Sequence, residues 1–257
     1  MTSLTEMTAA PRAIDYLDQA ARSRAGQHYK QRFLAALEVR AGQVVADIGC
    51  GPGTDLARLA EAVTGTGHVI GIDHDPEMVA QAKVRLAELT QVEVRTGDAH
   101  ALPLADASLD RARADRVLQH LSDPARAVSE LRRVIRPGGL VGFAEPDWDT
   151  LAVDCADIEV SRAFTRFMAA RVANPTIGRQ LSRLAVAGGF SQPAVDAITV
   201  TFTDFDAAEQ ILGLRRNLGR AVVAGLLPEA DGQRWLEAMI RGPFLACFAV
   251  MIVTARG

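Results

Sequence analysis

The run "VVADIGCGPGTD", Val44–Asp55, places three glycines within five positions directly after a short apolar segment. Glycine loses more chain entropy on folding than any other residue, so such clustering marks a tight turn at positive φ or main chain that something approaches closely. The stretch "VVADI" reads as a strand and Thr54–Val63 as a helix, so the glycines predict a strand-to-helix turn with backbone open to a ligand.

The same alternation continues. "HVIGID" reads as a strand, Pro76–Leu89 as a helix, and "VEVRTGD" as a strand. "LDRARADRVLQHL" reads as a strand and loop, Asp123–Val134 as a helix opening on "DP", and "RPGGLVGFAEP" as a turn and a fifth strand. Pro76 suits a first helical turn, where its missing N–H has no partner to lose. Such βαβ repetition predicts an α/β fold with a mostly parallel, doubly wound sheet and helices on both faces. Residues 11–38 carry apolar positions at helical spacing, interrupted near Gly26, which predicts two helices or one broken helix ahead of the sheet. Residues 154–188 read as helices, with Phe164, Phe167 and Met168 as core, "AVDAITVTFTDF" as a sixth strand, 206–241 as further helices and 244–254 as a final strand.

Composition narrows the class. The chain has 257 residues, 49% hydrophobic, enough for one large domain, and a net charge of −3 argues against nucleic acid as a partner. The start "MTSLTEMTAAPRAIDYLDQA" lacks a basic segment followed by an apolar one, so we expect no secretory signal and a cytoplasmic protein. The longest apolar run, "FLACFAVMIV", is too short to span a bilayer and suits a buried strand. Cys50, Cys155 and Cys247 lack metal-ligand spacing and read as reduced thiols, so no metal is expected.

A dinucleotide fingerprint would place a third glycine where Thr54 stands, so the Gly49-x-Gly51-x-Gly53 spacing weakens a nicotinamide reading. The ordered motifs "VADIGCGPG", "VIGIDHDPEMV", "GDAHALPLADASLD", "VLQHLSDPARAVSELRRVIRPGG" and "FAEP" resemble the class I S-adenosylmethionine-dependent methyltransferases. The group similar to the ubiquinone-biosynthesis methyltransferases matches best, over about Val44 to Pro146. The resemblance implies a seven-stranded Rossmann-like methyltransferase sheet with N-terminal helices and a helical lid. Residues 1–42 would be the helical cap, 43–150 the cofactor-binding core and 151–257 the rest of the sheet with its lid helices, in one continuous domain.

The resemblance also assigns a cofactor site for S-adenosylmethionine, with S-adenosylhomocysteine as product. Asp47 and the backbone of Gly49, Gly51 and Gly53 would surround the methionine portion, an acidic side chain suiting its ammonium and loop amides its carboxylate. Asp73, at the end of the second strand, would accept from the ribose hydroxyls, and Asp98 would receive the adenine amino group beside Ala99. Arg116 and Leu118 would wall the site. His120 is the candidate base, where a histidine that only packs beside the cofactor is the plainer alternative. His28, Tyr29, Trp148, Arg171 and Asn174 are the candidate substrate contacts, with packing or surface roles as alternatives. Glu145 and Asp147 should emerge at the same ligand edge. Arg111 and Arg113 depart from the largely apolar fourth strand of the family and require buried partners. The helical stretch 206–241 either enlarges the pocket or builds a homodimer face.

The expected activity is methyl transfer to an oxygen, carbon or nitrogen of a small or lipophilic metabolite. Two alternatives stand beside it: a rearrangement or cyclisation that leaves the cofactor intact, and a cofactor-sensing interaction module.

Overall fold

A computed structural model describes residues 4–6 and 10–257; residues 1–3 and 7–9 of the expected N-terminal cap lie outside the described residues. Helices α1 (Ala13–Arg22) and α2 (Arg24–Ala36) precede the sheet. They separate at Ser23, near Gly26 as expected, because the Ser23 hydroxyl accepts from the Gly26 N–H at 3.0 Å and caps α2.

The parallel half follows the reading closely: β1 (Val44–Ile48), α3 (Leu56–Val63), β2 (His68–Asp73), α4 (Pro76–Arg85), β3 (Val92–Thr96), β4 (Leu109–Asp115), α5 (Pro124–Val134) and β5 (Ile135–Val153). Asp75 and Asp123 open α4 and α5 by accepting from Glu77 N–H at 2.8 Å and Arg126 N–H at 3.0 Å, each just before a proline in the first turn. The "RPGG" segment, expected as a free turn, lies inside β5 as an irregularity: pairing passes from Leu109↔Ile135 to Arg111↔Leu140.

Then come α6 (Ile158–Ala170), α7 (Ile177–Ala187), β6 (Ser191–Phe202), α8 (Phe205–Leu212), α9 (Leu214–Val223), α10 (Glu229–Arg241) and β7 (Ala246–Arg256). The sheet runs β3-β2-β1-β4-β5-β7-β6, with β7 antiparallel to both β5 and β6. This is the seven-stranded, mostly parallel Rossmann-like architecture the motifs implied. Phe164, buried against Trp235 at 4.7 Å between ring centres, joins α6 to α10, and Met168 shares that core. Chain order reverses between β1 and β4, and in open α/β sheets ligands bind beyond the strand ends at such a switch point.

The glycine turn sits at that switch point, closed by Gly49 and Cys50 N–H groups donating to Ile72 O at 2.7 and 3.0 Å. Gly49 has φ +69°, and a Cβ there would stand 2.4 Å from Val117 Cγ2; at Gly51, φ +53°, the nearest atom would be Leu17 Cδ1 at 3.4 Å. Gly49→Ala therefore combines left-handed backbone with overpacking and should cost about 2–4 kcal/mol, against about 1–2 kcal/mol for Gly51→Ala. Urea unfolding of both variants checks this order; equal losses would contradict it.

Candidate active site

A cavity of about 390 Å³ opens beyond the ends of β1, β2 and β4, within the range of small-ligand sites. Asp47, Gly49, Cys50, Gly51 and Asp73 line one side, with Tyr16 and Leu17 from α1. Arg116, Val117, Gln119, His120, Leu121, Trp148 and Val172 line the other.

Its floor is a buried charge cluster. The pairing of β1 with β4 sets Asp47 opposite Arg113, and the period of two along β4 returns Asp115 to the same face. Arg113, only 2% exposed, places Nη2 3.0 Å from Asp55 and 2.7 Å from Asp115, and its Nε 3.4 Å from Asp47. Its guanidinium also stacks over Phe33 of α2 at 4.7 Å. Lys30, on α2, pairs with Asp55 and lies 3.0 Å from Asp115, and the Tyr29 hydroxyl donates to Asp115 Oδ1 at 3.2 Å.

These neighbours set the charges. Burial pushes the Tyr29 phenol up to about 12, aided by Asp115, so it stays a donor. Burial also works to raise Asp55, but Arg113 and Lys30 outweigh it and hold that carboxyl near 2. At Asp47 burial wins over Arg113, lifting the carboxyl to about 7. Arg111, the other unexpected cation, is buried against helix-end carbonyls: its Nε donates to Leu37 O at 2.8 Å and its Nη2 to Glu38 O at 3.4 Å.

The loop differs from the expectation in one respect that changes its chemistry. Gly51 N–H donates to Asp73 Oδ2 at 2.8 Å and Gly53 N–H to Cys50 O at 3.1 Å, so all the glycine amides are already paired within the fold. They hold the loop in place and are not free to take a carboxylate. Gly53 faces α4, where a Cβ would stand 3.1 Å from Ala82 Cβ, and it is absent from the cavity lining.

Other expected residues divide. Asp73 reaches the cavity, its Oδ1 also accepting from Asp75 N–H at 3.0 Å. Asp98 is exposed and turned to His100, accepting from its N–H at 2.9 Å, and neither Asp98 nor Ala99 lines the cavity. His120 lines the cavity while reached by solvent, and burial together with the Arg116 charge lowers its pKa. Arg116 stands at φ +58°, a backbone state costing a bulky residue of order 1–3 kcal/mol, and its Nε is buried without a partner. Leu118 is core, not wall.

Among the substrate candidates, Trp148 lines the cavity, stacked on Phe248 at 5.2 Å and donating through Nε1 to Gln119 Oε1 at 2.8 Å. Asn174 instead clamps the loop after β4, its Nδ2 donating to Leu118 O and Leu121 O at 3.0 and 2.7 Å. Arg171 lies over Phe167, His28 is exposed, and Tyr29 serves the charge cluster; none of the three lines the cavity. Lys30, Asp55, Asp115 and Tyr16 went unread in the sequence, although Arg113's need for partners pointed to acids nearby.

Glu145 and Asp147 lie within β5, paired with Met251 and Ala249 of β7, and turn inward, not at a strand end as expected. Asp147 pairs with Arg179, whose Nη2 lies 2.6 Å from Oδ1. Glu145 accepts from Val117 and Leu118 N–H at 2.7 and 2.6 Å and thereby fixes the start of the cavity's second wall.

A methyltransferase-domain model matches residues 45–139, and a demethylmenaquinone methyltransferase of Staphylococcus aureus is 34% identical over 125 residues, covering 49% of this chain and 52% of that one. Residues 45–139 form a methyltransferase domain of the class I S-adenosylmethionine-dependent type. The methyltransferase is also 52% identical over 250 residues to an uncharacterized 37.1 kDa protein in transposon TN4556 of Streptomyces fradiae, covering 97% of this chain and 72% of that protein. The crystal structure of YcgJ from Bacillus subtilis shares the fold at a TM-score of 0.63 and 19% identity, over 90% of this chain and 98% of that one. The cofactor of the methyltransferase is S-adenosylmethionine. Among the described residues no helix is long and apolar enough to cross a membrane, and no cluster suits a metal ion.

Burial lifts the Glu145 carboxyl to about 8, against the opposing pull of the Leu118 and Val117 amides. A raised folded-state value means the folded protein holds a proton that the unfolded chain has released, so stability falls as pH rises from about 4.5 to about 8 and levels off above. Glu145→Gln keeps the acceptor oxygen and removes this loss. It should gain on the native protein by roughly 2–4 kcal/mol between pH 5 and 9 in urea unfolding; parallel pH profiles would contradict this.

Proposed function

We propose that the methyltransferase transfers a methyl group to a small apolar metabolite, with the cofactor's charged end over the β1 loop and the acceptor against the wall after β4. The observation that carries the reading is the cavity's asymmetry: charged groups from β1, β2 and β4 on one side, and Val117, Leu121, Trp148 and Val172 toward the other.

The residues present suit S-adenosylmethionine. Asp47, Asp55 and Asp115 outnumber Lys30 and Arg113, and with Asp47 ionised they leave negative charge for an ammonium group. Asp73 has both oxygens anchored by backbone donors and keeps acceptor capacity toward ribose hydroxyls. Asp98 and Ala99 are assigned the adenine end, which requires Asp98 to leave its contact with His100. When bound, the cofactor supplies an electrophilic methyl group on a sulfonium, so the protein's work is orientation and exclusion of water, worth up to roughly 7–11 kcal/mol.

His120 is the proton acceptor in this reading. Its lowered pKa keeps the imidazole neutral at physiological pH, and one ring nitrogen takes the proton of an acceptor hydroxyl or amine. Trp148, held by Gln119, supplies a flat wall for the acceptor. Unpaired Cys50, Cys155 and Cys247 fit a reducing, cytoplasmic setting.

Incubation with S-adenosylmethionine and a mixture of small phenols, quinols and amines, read by mass spectrometry, tests the reading. S-adenosylhomocysteine together with a product heavier by one methyl is expected; a product formed with the cofactor intact would instead mean rearrangement. In calorimetry, Asp73→Ala should weaken S-adenosylhomocysteine binding at least about tenfold, the worth of a charge-assisted hydrogen bond.

A further inference from the structure

An amino-acid tail carries one ammonium and one carboxylate, and the two need opposite surroundings. The usual receptor for the carboxylate, free amides in a glycine turn at a helix start, is closed here. Gly49 and Cys50 donate to Ile72 O, Gly51 to Asp73 and Gly53 to Cys50 O, while Pro52 has no N–H. With the glycine amides committed, a cationic side chain lining the cavity is the stronger receptor for the anion.

The cations lining the cavity are not equivalent. Lys30 is shared by Asp55 and Asp115, and Arg113 by these two and Asp47, so the two cations face three carboxylates. Arg116 forms no ion pair among the described residues, and its buried Nε–H has no acceptor. A half-buried guanidinium with no carboxylate in direct contact gains from one that a ligand supplies. Its backbone is held at φ +58°, with its N–H donating to Ala144 O at 2.8 Å, so the side chain is delivered into the cavity by a strained turn. The cavity thus carries an acid-rich cluster and a separate positive charge one residue beyond it, the pattern that complements a zwitterion.

We propose that Arg116 is the receptor for the α-carboxylate of the bound cofactor, and the residue by which the site distinguishes an intact amino-acid tail from a decarboxylated one. This rests on the reading of the cavity as the cofactor site. The guanidinium offers a two-pronged donor set matched to a carboxylate, and the acid-rich cluster receives the ammonium beside it.

Calorimetric titration with three ligands separates the contributions: S-adenosylhomocysteine, S-adenosyl-3-thiopropylamine, which lacks only the carboxylate, and 5′-methylthioadenosine, which lacks the tail. The native protein should prefer the first over the second. Arg116→Met should weaken S-adenosylhomocysteine roughly 10- to 100-fold, leave the other two within about threefold, and abolish the preference. Arg116→Lys should restore part of it, and unchanged 5′-methylthioadenosine binding shows that the variant is folded. Undiminished binding of S-adenosylhomocysteine by Arg116→Met overturns the proposal, as does equal loss of all three ligands, which would mark a structural role. Failure of the native protein to bind any of them overturns the cofactor reading itself, and the proposal with it.

Discussion

A guanidinium buried in the middle of a parallel sheet is the constraint around which the active-site half of this methyltransferase is arranged. Taking Arg113 out of water costs several kcal/mol, and only close carboxylates repay it. Asp47 comes from the neighbouring strand, Asp55 from the end of the glycine turn and Asp115 from further along the same strand. Lys30 and Tyr29 bring α2 to the same point, and Phe33 closes over the guanidinium. One cation thereby fixes how the N-terminal helix, the loop and two strands meet. An apolar residue of similar size could fill the space, but would not specify which acids gather there.

The same arrangement explains the site's division of labour. The matched domain, residues 45–139, contributes the loop, Asp73 and the charged end of β4, together with Val117, His120 and Leu121. Trp148 and Val172, on the acceptor side, come from the chain beyond it. In the proposed reading the matched segment supplies the cofactor contacts, and the acceptor wall joins its Val117 and Leu121 to Trp148 and Val172 of the later chain. Glu145 and Asn174 join the two, since both hold the loop after β4 by its backbone.

Most of the fold was legible because it depends on local signals. Alternating apolar runs placed all seven strands, and Asp-Pro pairs marked α4 and α5. The break between α1 and α2 falls near Gly26 as read, set by the Ser23 cap, whereas the "RPGG" segment read as a free turn lies within β5 because pairing with β4 continues on either side of it. The site was legible in its backbone and less so in its side chains. Asp73 reached the cavity because a strand end fixes its direction. Asp98 turned to His100, and Asn174 to carbonyls of the β4 loop, since both choices depend on loop shape that periodicity does not encode. The charge cluster joins residues as far apart as Lys30 and Asp115, and only sheet register brings them together.

The central claim is that Arg113 holds the cofactor end of the site together through its carboxylates. Arg113→Met, followed by urea unfolding and by calorimetric titration with S-adenosylhomocysteine, tests it most directly. The account predicts a loss of about 3–5 kcal/mol, because three acids are left without their shared cation, together with at least roughly tenfold weaker binding. Stability within about 1 kcal/mol of the native protein, with binding unchanged, would contradict it.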